Sequence, residues 1–402
     1  MASKWPVVPL GDVITLQRGF DLPSQNRKSG KVPIVSSSGI SDYHAEAAVK
    51  GPGVVTGRYG TIGQVFLIKE DYWPLNTTLW VKDFHCNDPH FVSYLLRTVD
   101  FQSCCDKSSV PGVNRNDLHL IPVLRPPLPE QKAIAAILGA LDDKIELNRR
   151  MNATLESMAR ALFQSWFVDF DPVRAKADGR TPSGMDAETA ALFPAQFDHD
   201  ETMLRPHGWL PKAVYDCATF INGVAFKNVQ FSADGIGLPV VKIAELKDGI
   251  TKQTKFTLDA LAPKYKIHDG EILFSWSGSP DTSIDTFLWS GGDGWLNQHI
   301  FKVEFHHPAE KLFVYYLLKH LKSTFIEIAR NKQTTGLGHV TAQDLKRLQV
   351  AFPPNPVLLA FQRLAQPIFD KTFATQTESR TLAALRDSLL PKLLRGEVRV
   401  VP

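Results

Sequence analysis

The sequence predicts an α+β protein built from two similar globular domains, each followed by a long helix, with the two helices packed as an antiparallel coiled coil. Three observations support this fold class. The 402 residues are 44% hydrophobic and 22% charged, a globular composition with length for two or three domains. Short sequence patterns recur in the same order in both halves, and two long stretches repeat apolar side chains at steps of three and four.

The duplication is visible in segments that keep their order along the chain. Three matching pairs have offsets that start at 204 residues and end at 227: 15–20 with 219–223, 75–76 with 296–297, and 117–118 with 344–345. A slowly growing offset is expected when two copies of one domain accumulate loops of different length between retained core elements. We therefore expect one domain over residues 1–125 and its copy over residues 209–352.

Within each half, short β-like runs precede helical stretches. The runs stand between Gly, Asn and Ser residues and include 53–56, 64–68, 79–81, 271–274 and 300–303. Helical patterns follow at residues 89–101 and 308–330. Strands first and helices later favour an α+β domain over a parallel, doubly wound sheet.

Two long helices are expected after the domains, over residues 126–168 and 353–402. The predicted apolar seams are Ile134, Leu138, Leu141, Ile145, Asn148, Asn152, Leu155, Ala159, Leu162 and Trp166, then Phe361, Ala365, Ile368, Thr372, Thr375, Ser379, Leu382, Leu385 and Leu389. Both seams turn polar near the middle. Antiparallel packing would bring Asn148 and Asn152 close to Thr375 and so fix the register of the pair.

Charge is nearly balanced along the chain. Lys plus Arg number 45 and Asp plus Glu 42, for a net charge of +3, so no bulk basic field binds nucleic acid indiscriminately. Residues 169–208, between the first helix and the second domain, form an acidic connector with eight acidic and four basic side chains. Any DNA-binding face must therefore arise from a local concentration of basic side chains, because the chain has no large overall excess of them.

The sequence also predicts the cellular compartment. Four cysteines are too few for a disulfide framework, and no C-x-x-C spacing suggests a zinc site. The first residues lack the apolar core of a signal peptide, and no apolar run approaches the roughly 20 residues that span a bilayer. We expect a soluble, cytoplasmic protein that does not enter a membrane.

No motif for catalysis, cofactor binding or metal binding stands out. Gly51, Gly53 and Gly57 miss the dinucleotide-binding spacing by one residue, and a turn is the better interpretation. Asp281, with Asp344 and Lys346 far downstream, makes a poor carboxylate metal site, and the pairs at 85–86 and 306–307 lack the further ligands that zinc requires. We therefore predict no cofactor, no metal and no catalytic residue.

Three segments in the helical regions carry a resemblance to a known family. They are residues 126–145 (PPLPEQKAIAAILGALDDKI), 165–170 (SWFVDF) and 389–397 (LLPKLLRGE). With them, the chain resembles the DNA-specificity subunit of type I restriction-modification systems over its whole length. The second copy has PPNPVLL at 353–359 and lacks the Glu-Gln-Lys of the first, so contacts with a partner need not be equal.

The resemblance implies a non-catalytic subunit. Each globular half would be a target-recognition domain that binds one part of a bipartite target in double-stranded DNA, and the helices would set the spacer. In this family the partners are methylation subunits, of which two can attach, and often an endonuclease subunit that translocates DNA. Thirty-nine helical residues span about 58 Å, which is one to two turns of B-DNA.

Chemistry and position in loops point to the candidate DNA-binding residues. Base edges are contacted mainly by Arg, Lys, Asn, Gln and Ser/Thr on loops, supported by contacts to phosphates. The candidates are Arg18, Arg58, Tyr59, Thr61, Asn76, Asn114 and Arg115 in the first half and Asn222, Lys227, Lys242, Trp276, Gln298, Gln333 and His339 in the second. The alternative for each is a solvated surface residue or, for Tyr59 and Trp276, a packed aromatic.

Two other function classes are weighed against this interpretation. A stand-alone DNA-modifying enzyme would modify or cut DNA without partners. A coiled-coil scaffold without DNA specificity is disfavoured, because duplicated α+β domains are superfluous for scaffolding. Sequence-selective DNA binding by the reconstituted complex would separate the scaffold from the specificity subunit.

Overall fold

The computed structural model describes residues 5–105, 112–199, 203–226, 231–232, 234–333 and 336–400. By its internal contacts the chain divides into two compact units, Met1–Glu146 with Arg380–Pro402, and Leu147–Ser379. Each unit combines a globular domain with parts of both long helices. The predicted domain boundaries divide the chain by sequence position instead, and they remain a prediction. None of the helices in the described ranges has both the length and the apolar character needed to cross a membrane.

The first unit contains the first domain and the start of the first long helix. Its described elements are β1 (Val7–Pro9), β2 (Thr15–Arg18), β3 (Val32–Ser36), β4 (Gly39–His44), β5 (Gly53–Gly57), β6 (Val65–Ile68), β7 (Trp73–Pro74), β8 (Thr78–Asp83), α1 (Pro89–Leu96), α2 (Arg115–His119), β9 (Pro122–Leu124) and α3 (Leu128–Phe167). An antiparallel sheet has the order β2-β8-β5-β6, a second sheet has the order β4-β3-β7, and β1 pairs with β9.

The core of the first domain lies between the β2-β8-β5-β6 sheet and helix α1. This helix begins at Pro89 because the Asp88 side chain accepts the backbone N–H of Phe91 at 2.9 Å, and proline suits the first helical position. Phe91 then packs in one buried cluster with Leu16 and Val54 of the sheet and with the first turns of α3. Burial of this shared apolar surface is the main favourable term that holds the domain on its helix.

The second unit contains the end of α3 and the remaining elements, except that the last helix passes into the first unit from Arg380 onward. They are α4 (Asp171–Ala177), α5 (Ala187–Ala191), β10 (Phe197–His199), β11 (Leu204–Pro206), β12 (Leu210–Ala213), β13 (Thr219–Asn222), β14 (Leu238–Val241), α6 (Ile243–Asp248), β15 (Phe256–Thr257), β16 (Lys266–Ile267), β17 (Ile272–Ser275), β18 (Ser277–Gly278), α7 (Pro280–Ser283), β19 (Asp285–Leu288), β20 (Gly294–Leu296), β21 (Ile300–Glu304), α8 (Glu310–His320), α9 (Lys322–Asn331), β22 (Gly338–His339), α10 (Ala342–Arg347), β23 (Gln349–Phe352) and α11 (Asn355–Leu394).

The second domain repeats the topology of the first. Its main sheet has the order β13-β21-β17-β19, which corresponds strand for strand to β2-β8-β5-β6. The parallel pair β14 and β20 corresponds to the parallel pair β3 and β7. The strands β12 and β23 pair as β1 and β9 do. The second sheets differ, since β4-β3-β7 has three strands and β15-β14-β20-β16 has four. The shared order of the main sheet and the equivalent strand pairs are the duplication that the sequence predicts.

The strand pairing corrects one sequence match by one residue. A Cβ atom on Gly19 would lie 2.2 Å from the carbonyl oxygen of Leu75, and one on Gly223 would lie 2.2 Å from that of Asn297. Leu75 is therefore equivalent to Asn297, not to Leu296, and Asn76 is equivalent to Gln298. The sequence comparison aligned Leu75-Asn76 with Leu296-Asn297 because the two dipeptides are identical. Identity of two neighbouring residues does not show which backbone atoms are equivalent in the folded domains.

The acidic connector is folded against the second domain. Phe170 directly precedes α4, Val173 lies on α4, and Phe193 follows α5. All three are buried with Trp209 in the core of the second unit. The strands β10 and β11 pair as a small antiparallel sheet. Acidic side chains such as Asp178 and Asp186 stay exposed, so the connector combines an apolar inner side with an acidic outer side.

The two long helices pack antiparallel within each unit. In the second unit, the amide nitrogen of buried Asn148 donates to a Glu378 carboxylate oxygen at 2.8 Å, and Asn152 accepts a hydrogen bond from Thr375. In the first unit, the Asp142 carboxylate accepts hydrogen bonds from Arg386 at 2.7 Å and from Tyr94 at 2.8 Å. Residue numbers rise along one helix as they fall along the other, as the sequence predicts.

Helix α3 spans Leu128–Phe167 and helix α11 spans Asn355–Leu394, and the second helix differs from the expectation in two respects. Helix α11 ends at Leu394, before the end of the predicted range 353–402. Leu385, which belongs to the predicted seam, is 45% exposed, and its neighbour Arg386 faces Asp142 instead. The ion pair of Arg386 with Asp142 therefore replaces an apolar layer at this level of the two helices. Three further groups hydrogen-bond to this pair: Tyr94, Arg97 and Asp387.

Candidate nucleic-acid interface

Three predicted arginines meet in a cleft of the first domain. Arg18 ends β2 and lies opposite Leu79 of β8, and Arg58 directly follows β5, which pairs with the other side of β8. Arg115 is the first residue of α2. The cleft has a volume of about 320 Å³ and is lined by Arg18, Arg58, Leu79, Val113, Asn114, Arg115 and Asn116. We call this set the arginine cleft.

The backbone holds Arg58 rigidly in the cleft. The backbone N–H groups of Arg58 and Tyr59 both donate to the carbonyl of Thr77, at 2.9 and 3.2 Å, and the Arg58 carbonyl accepts from Val113 at 3.0 Å. The guanidinium carbon lies 4.6 Å from the centre of the Tyr59 ring, a cation–π distance. A stacked, hydrogen-bonded segment of this kind loses little conformational entropy when Arg58 binds a ligand.

Helix α2 carries Arg115 and is anchored to β2. The Asn114 side chain caps the helix by accepting the Asn116 N–H at 3.0 Å. At the other end, His119 Nε2 accepts the backbone N–H of Leu16 at 2.9 Å, where the pairing of β2 with β8 shifts register. Burial lowers the pKa of His119, and the charge of Arg115 lowers it further. A neutral His119 therefore holds α2 beside the strand that ends in Arg18.

The arginine cleft carries unbalanced positive charge. Within the described residues, none of the three guanidinium groups donates a hydrogen bond to the protein or pairs with a carboxylate. Like charges without a protein counterion repel one another, and an electron-rich ligand relieves that repulsion. The arrangement suits the phosphates and base-edge acceptors of nucleic acid.

Three other predicted residues of the first domain lie outside the lining of this cleft. Asn76 donates its amide hydrogen bond to Asp21. The backbone carbonyl oxygen of Thr61 packs against Gly57. A Cβ atom built on Gly57 would lie only 1.9 Å from this oxygen, so the position has no room for a side chain. Tyr59 supports Arg58 with its ring. These residues shape the loops around the cleft, and their contact with DNA remains a prediction.

In the second domain, four predicted residues lie in one cluster of hydrogen bonds and ring contacts. Trp276 Nε1 donates to Asn222 Oδ1 at 3.0 Å, and the Trp276 ring centre lies 5.9 Å from that of His339. Gln298 Nε2 lies 3.2 Å from His299 Nε2, and the His299 ring centre lies 5.7 Å from that of Trp276. Together with Ser277, these residues form what we call the tryptophan cluster: Asn222, Trp276, Ser277, Gln298, His299 and His339.

Two members of the tryptophan cluster were not predicted from the sequence. Ser277 Oγ lies 2.9 Å from His339 Nδ1, and His299 stands between Gln298 and Trp276. Burial lowers the pKa of His299, and nearby His339 lowers it further. The only sequence signal for these two residues is adjacency, since each directly follows a predicted residue.

The remaining candidates in the second domain lie apart from the cluster. Lys242 is exposed before α6, and its amine lies 5.6 Å from the centre of the Phe231 ring. Gln333 is exposed beyond the end of α9, where its backbone N–H donates to Arg330. In the described part of the chain, no hydrogen bond joins either side chain to the tryptophan cluster. Lys227 lies outside the described residues.

The carboxylates considered as a metal site have structural partners. Asp281 pairs with Arg330, and Asp344 accepts hydrogen bonds from Lys332 and from the Thr341 that caps α10. Across the described ranges, no group of three or more His, Cys, Asp or Glu side chains is arranged to hold a metal ion. Gly53 and Gly57 lie in buried β5, where Gly53 leaves room for the Tyr72 hydroxyl, so this segment is not a phosphate-binding turn.

Comparison with known families explains the two domains. The family described as "Type I restriction modification DNA specificity domain" matches residues 2–157 and 206–383. The chain belongs to this family. Both matched regions contain one globular domain and part of a long helix, so the predicted family and the tandem α+β fold are confirmed.

Curated relatives share this organisation. The chain is 29% identical over 310 residues to the HindI specificity subunit of Haemophilus influenzae, covering 67% of each protein. It is 26% identical over 439 residues to the MjaIX specificity subunit of Methanocaldococcus jannaschii, covering 99% of this chain and 94% of the relative. A crystal structure of the type I S subunit of M. genitalium matches 97% of this chain and 96% of that one, with a TM-score of 0.59 and 14% identity, which shows a shared fold.

Membership in this family gives the two surfaces a context. The arginine cleft lies in the first specificity domain and the tryptophan cluster in the second, and each sits at the same edge of its main sheet. Asn116 lines the arginine cleft but is not among the predicted residues. The sequence held a usable signal for it, because Asn116 completes the polar run 114–116. Leu79 and Val113 carried no such signal, since apolar residues in strands and loops are usually core.

Proposed function

We propose that the chain is the DNA-recognition and assembly subunit of a type I restriction-modification complex. Each specificity domain binds one half of a bipartite target in double-stranded DNA. The observation that carries the proposal is the arginine cleft, where three guanidinium groups converge on one surface of a specificity domain without a hydrogen-bond or carboxylate partner among the described residues. Membership in the family of DNA specificity domains supports the same conclusion.

The duplicated scaffold supports binding to both halves of the target. In the first domain, β2 and β5 flank β8, and Arg18 and Arg58 lie where these two strands end. In the second domain, β13 and β17 flank β21, and Asn222 and Trp276 lie at the equivalent strand ends. Arg and Asn are among the side chains that contact base edges most often. A tandem pair of domains can thus recognise two separate DNA segments with different chemistry.

The long helices set the spacer and dock the partners under this proposal. Helix α3 has 40 residues, which corresponds to about 60 Å. Exposed apolar side chains lie along both helices, among them Leu147 and Met158 on α3 and Leu359 and Leu364 on α11. Under the proposal, these are the side chains that the partners cover. The expected occupants are two methylation subunits, with an endonuclease subunit joining the assembly.

Catalysis belongs to the partners in this scheme. The methylation subunits would supply S-adenosylmethionine chemistry, and the present chain would supply the choice of sequence. A protein that acts on the DNA of its own cell works in the cytoplasm, which is the compartment we propose. We expect that the purified chain neither binds S-adenosylmethionine nor methylates DNA.

Methylation mapping in the host tests the proposal. Deleting this chain while keeping the methylation subunits should remove one bipartite methylated motif, and restoring the chain on a plasmid should return it. An unchanged methylation pattern would contradict the proposal, and so would loss of a motif without a spacer. Methyl transfer by the isolated chain would instead favour a stand-alone enzyme.

A further inference from the structure

Strand register makes the two specificity domains comparable residue by residue. Arg18 lies opposite Leu79 of β8, and Asn222 lies opposite Phe301 of β21, which occupies the same central position. The carbonyl of Arg58 accepts a hydrogen bond from Val113 at 3.0 Å, and that of Trp276 accepts one from Val340 at 2.8 Å. Arg18 is therefore equivalent to Asn222, and Arg58 to Trp276.

The same comparison extends to the third arginine. Asn114 caps α2, and Thr341 caps α10 at the equivalent position. The first residue of each helix is then Arg115 in one domain and Ala342 in the other. The scaffold thus accepts Asn, Trp and Ala where the first domain has three arginines, so folding does not dictate arginine at these positions.

The geometry points to guanine as the base recognised by the arginine cleft. This inference rests on the proposed function and adds the base chemistry of one half-site. Arginine forms paired hydrogen bonds with O6 and N7 of guanine in the major groove, the commonest specific contact in protein–DNA complexes. Guanine in the half-site of the first domain is recognised by Arg18, Arg58 and Arg115, and the second domain uses other chemistry at the equivalent positions.

Two features favour base edges over phosphates as the ligand. Leu79 and Val113 give the cleft an apolar wall, and desolvation beside such a wall strengthens directional hydrogen bonds. Arg58 is fixed by its backbone bonds and by the Tyr59 ring, which orients the planar fork. A contact to a phosphate requires only a positive charge close to it. Recognition of a base edge requires the guanidinium group to be held in one orientation, so that both of its hydrogen bonds can form.

The test uses the reconstituted complex of this chain with its methylation subunits and the target found by methylation mapping. Each guanine of the first half-site is replaced in turn by 7-deazaguanine, which keeps base pairing and charge but removes the N7 acceptor. Binding of the wild-type complex should weaken about tenfold or more for at least one such duplex, because a good bidentate contact discriminates by that much.

Arginine-to-lysine variants identify the residue responsible. Arg18→Lys, Arg58→Lys and Arg115→Lys each keep the positive charge and lose the fork. One of these variants should bind the normal duplex as weakly as the wild type binds the modified one, and should no longer respond to the modification. Replacing guanines of the second half-site is the matched control, and its effect should be the same in wild type and variants.

Contrary outcomes are equally specific. Variants that bind every duplex with unchanged base preference, or a first half-site without a G·C pair, would overturn the inference and leave the proposed function intact. Arginine-to-alanine variants that weaken all duplexes equally and flatten the salt dependence would assign the cleft to phosphates and also overturn it. A wild-type complex without a bipartite target would overturn the proposed function and this inference together.

Discussion

The two specificity domains differ at one sheet edge while their scaffolds agree. The first domain presents three arginines without a hydrogen-bond or carboxylate partner among the described residues. The second presents an indole, two amides, a hydroxyl and two imidazole rings joined by contacts with one another. The strand order of the main sheet and the capped helix beside the edge are the same in both. The core therefore specifies the scaffold, and the same scaffold accepts different side chains at this edge.

The largest expected effect concerns the helices that connect these domains. Two residues inserted at the same level of both helices, after Arg150 and after Gln376, would turn the following surfaces by about 200° and should abolish assembly. Four residues at the same two sites advance each helix by slightly more than one turn and about 6 Å. The four-residue variant should assemble and keep both half-sites, with one or two more base pairs in the spacer.

Sequencing of methylated sites measures this outcome, and size-exclusion chromatography of the complex measures assembly. A four-residue variant with an unchanged spacer would show that the helices do not set the distance. Changed bases in either half-site would show that recognition extends beyond the two domains, which would weaken the comparison between them.

A large effect is also expected from Trp276→Ala in the tryptophan cluster. The change removes the ring that packs against His299 and His339 and the N–H that Asn222 accepts. Binding to the second half-site should weaken about ten- to a hundredfold, as for removal of a central aromatic from an interface. Competition binding with duplexes altered in one half-site at a time measures it.

Trp276→Phe is the matched control for that prediction. It keeps an aromatic ring and loses only the hydrogen bond to Asn222, so it should lose much less affinity. If Trp276→Ala altered discrimination at the first half-site instead, the assignment of one half-site to each domain would be wrong.

A smaller effect is expected when the chemistry of the first domain is grafted onto the second. Asn222→Arg combined with Ala342→Arg places arginines at the positions equivalent to Arg18 and Arg115. Binding of unrelated duplexes at low salt should increase several-fold, and the logarithmic salt slope should steepen by roughly 0.9 for each added phosphate contact. Titrations at several salt concentrations measure both quantities.

The control for the graft is Asn222→Gln combined with Ala342→Gln, which adds length without charge. This control should leave the salt slope unchanged. An arginine variant with the wild-type slope would indicate that this edge of the second domain does not face DNA, and the parallel between the two edges would fail.

The smallest expected effect is a pH response confined to the first domain. His119 accepts the Leu16 N–H in its neutral form and has a lowered pKa in the folded state. The unfolded chain therefore binds more protons than the folded one below the ordinary histidine pKa of about 6.5, and stability is lost as the pH falls through that region. Hydrogen exchange of the Leu16 amide, corrected for its intrinsic rate, should show less protection at pH 5.5 than at pH 7.5.

Strand β13 of the second domain provides the internal comparison. The position equivalent to His119 is Lys346, whose amine lies 4.8 Å from the centre of the Tyr215 ring. Protection at Phe220, which corresponds to Leu16, should change less with pH. His119→Gln, which keeps an acceptor that does not titrate, should remove the difference between the two strands. An equal response in both strands would contradict the role assigned to His119.

The candidate site was only partly predictable from residue type. Arg18, Arg58, Asn114 and Arg115 were predicted and line one cleft. Asn76 has the same chemistry, but its amide donates to Asp21. Nothing local distinguishes the two cases, because whether a polar side chain is free depends on partners that lie far away in the sequence. Asp21 and Asn76 are brought together only by the folded domain.

The duplication, the α+β class, the two long helices and the family could be predicted without coordinates. These features rest on patterns that repeat along the chain, such as the seam from Ile134 to Trp166 and the PPLPEQK segment, and periodicity can be counted without coordinates. Three features became visible only in the folded chain: the equivalence of Leu75 and Asn297, the burial of the connector's apolar residues in the core, and the convergence of Arg18, Arg58 and Arg115. Those outcomes depend on strand register and on burial among residues distant in sequence, which no local pattern encodes.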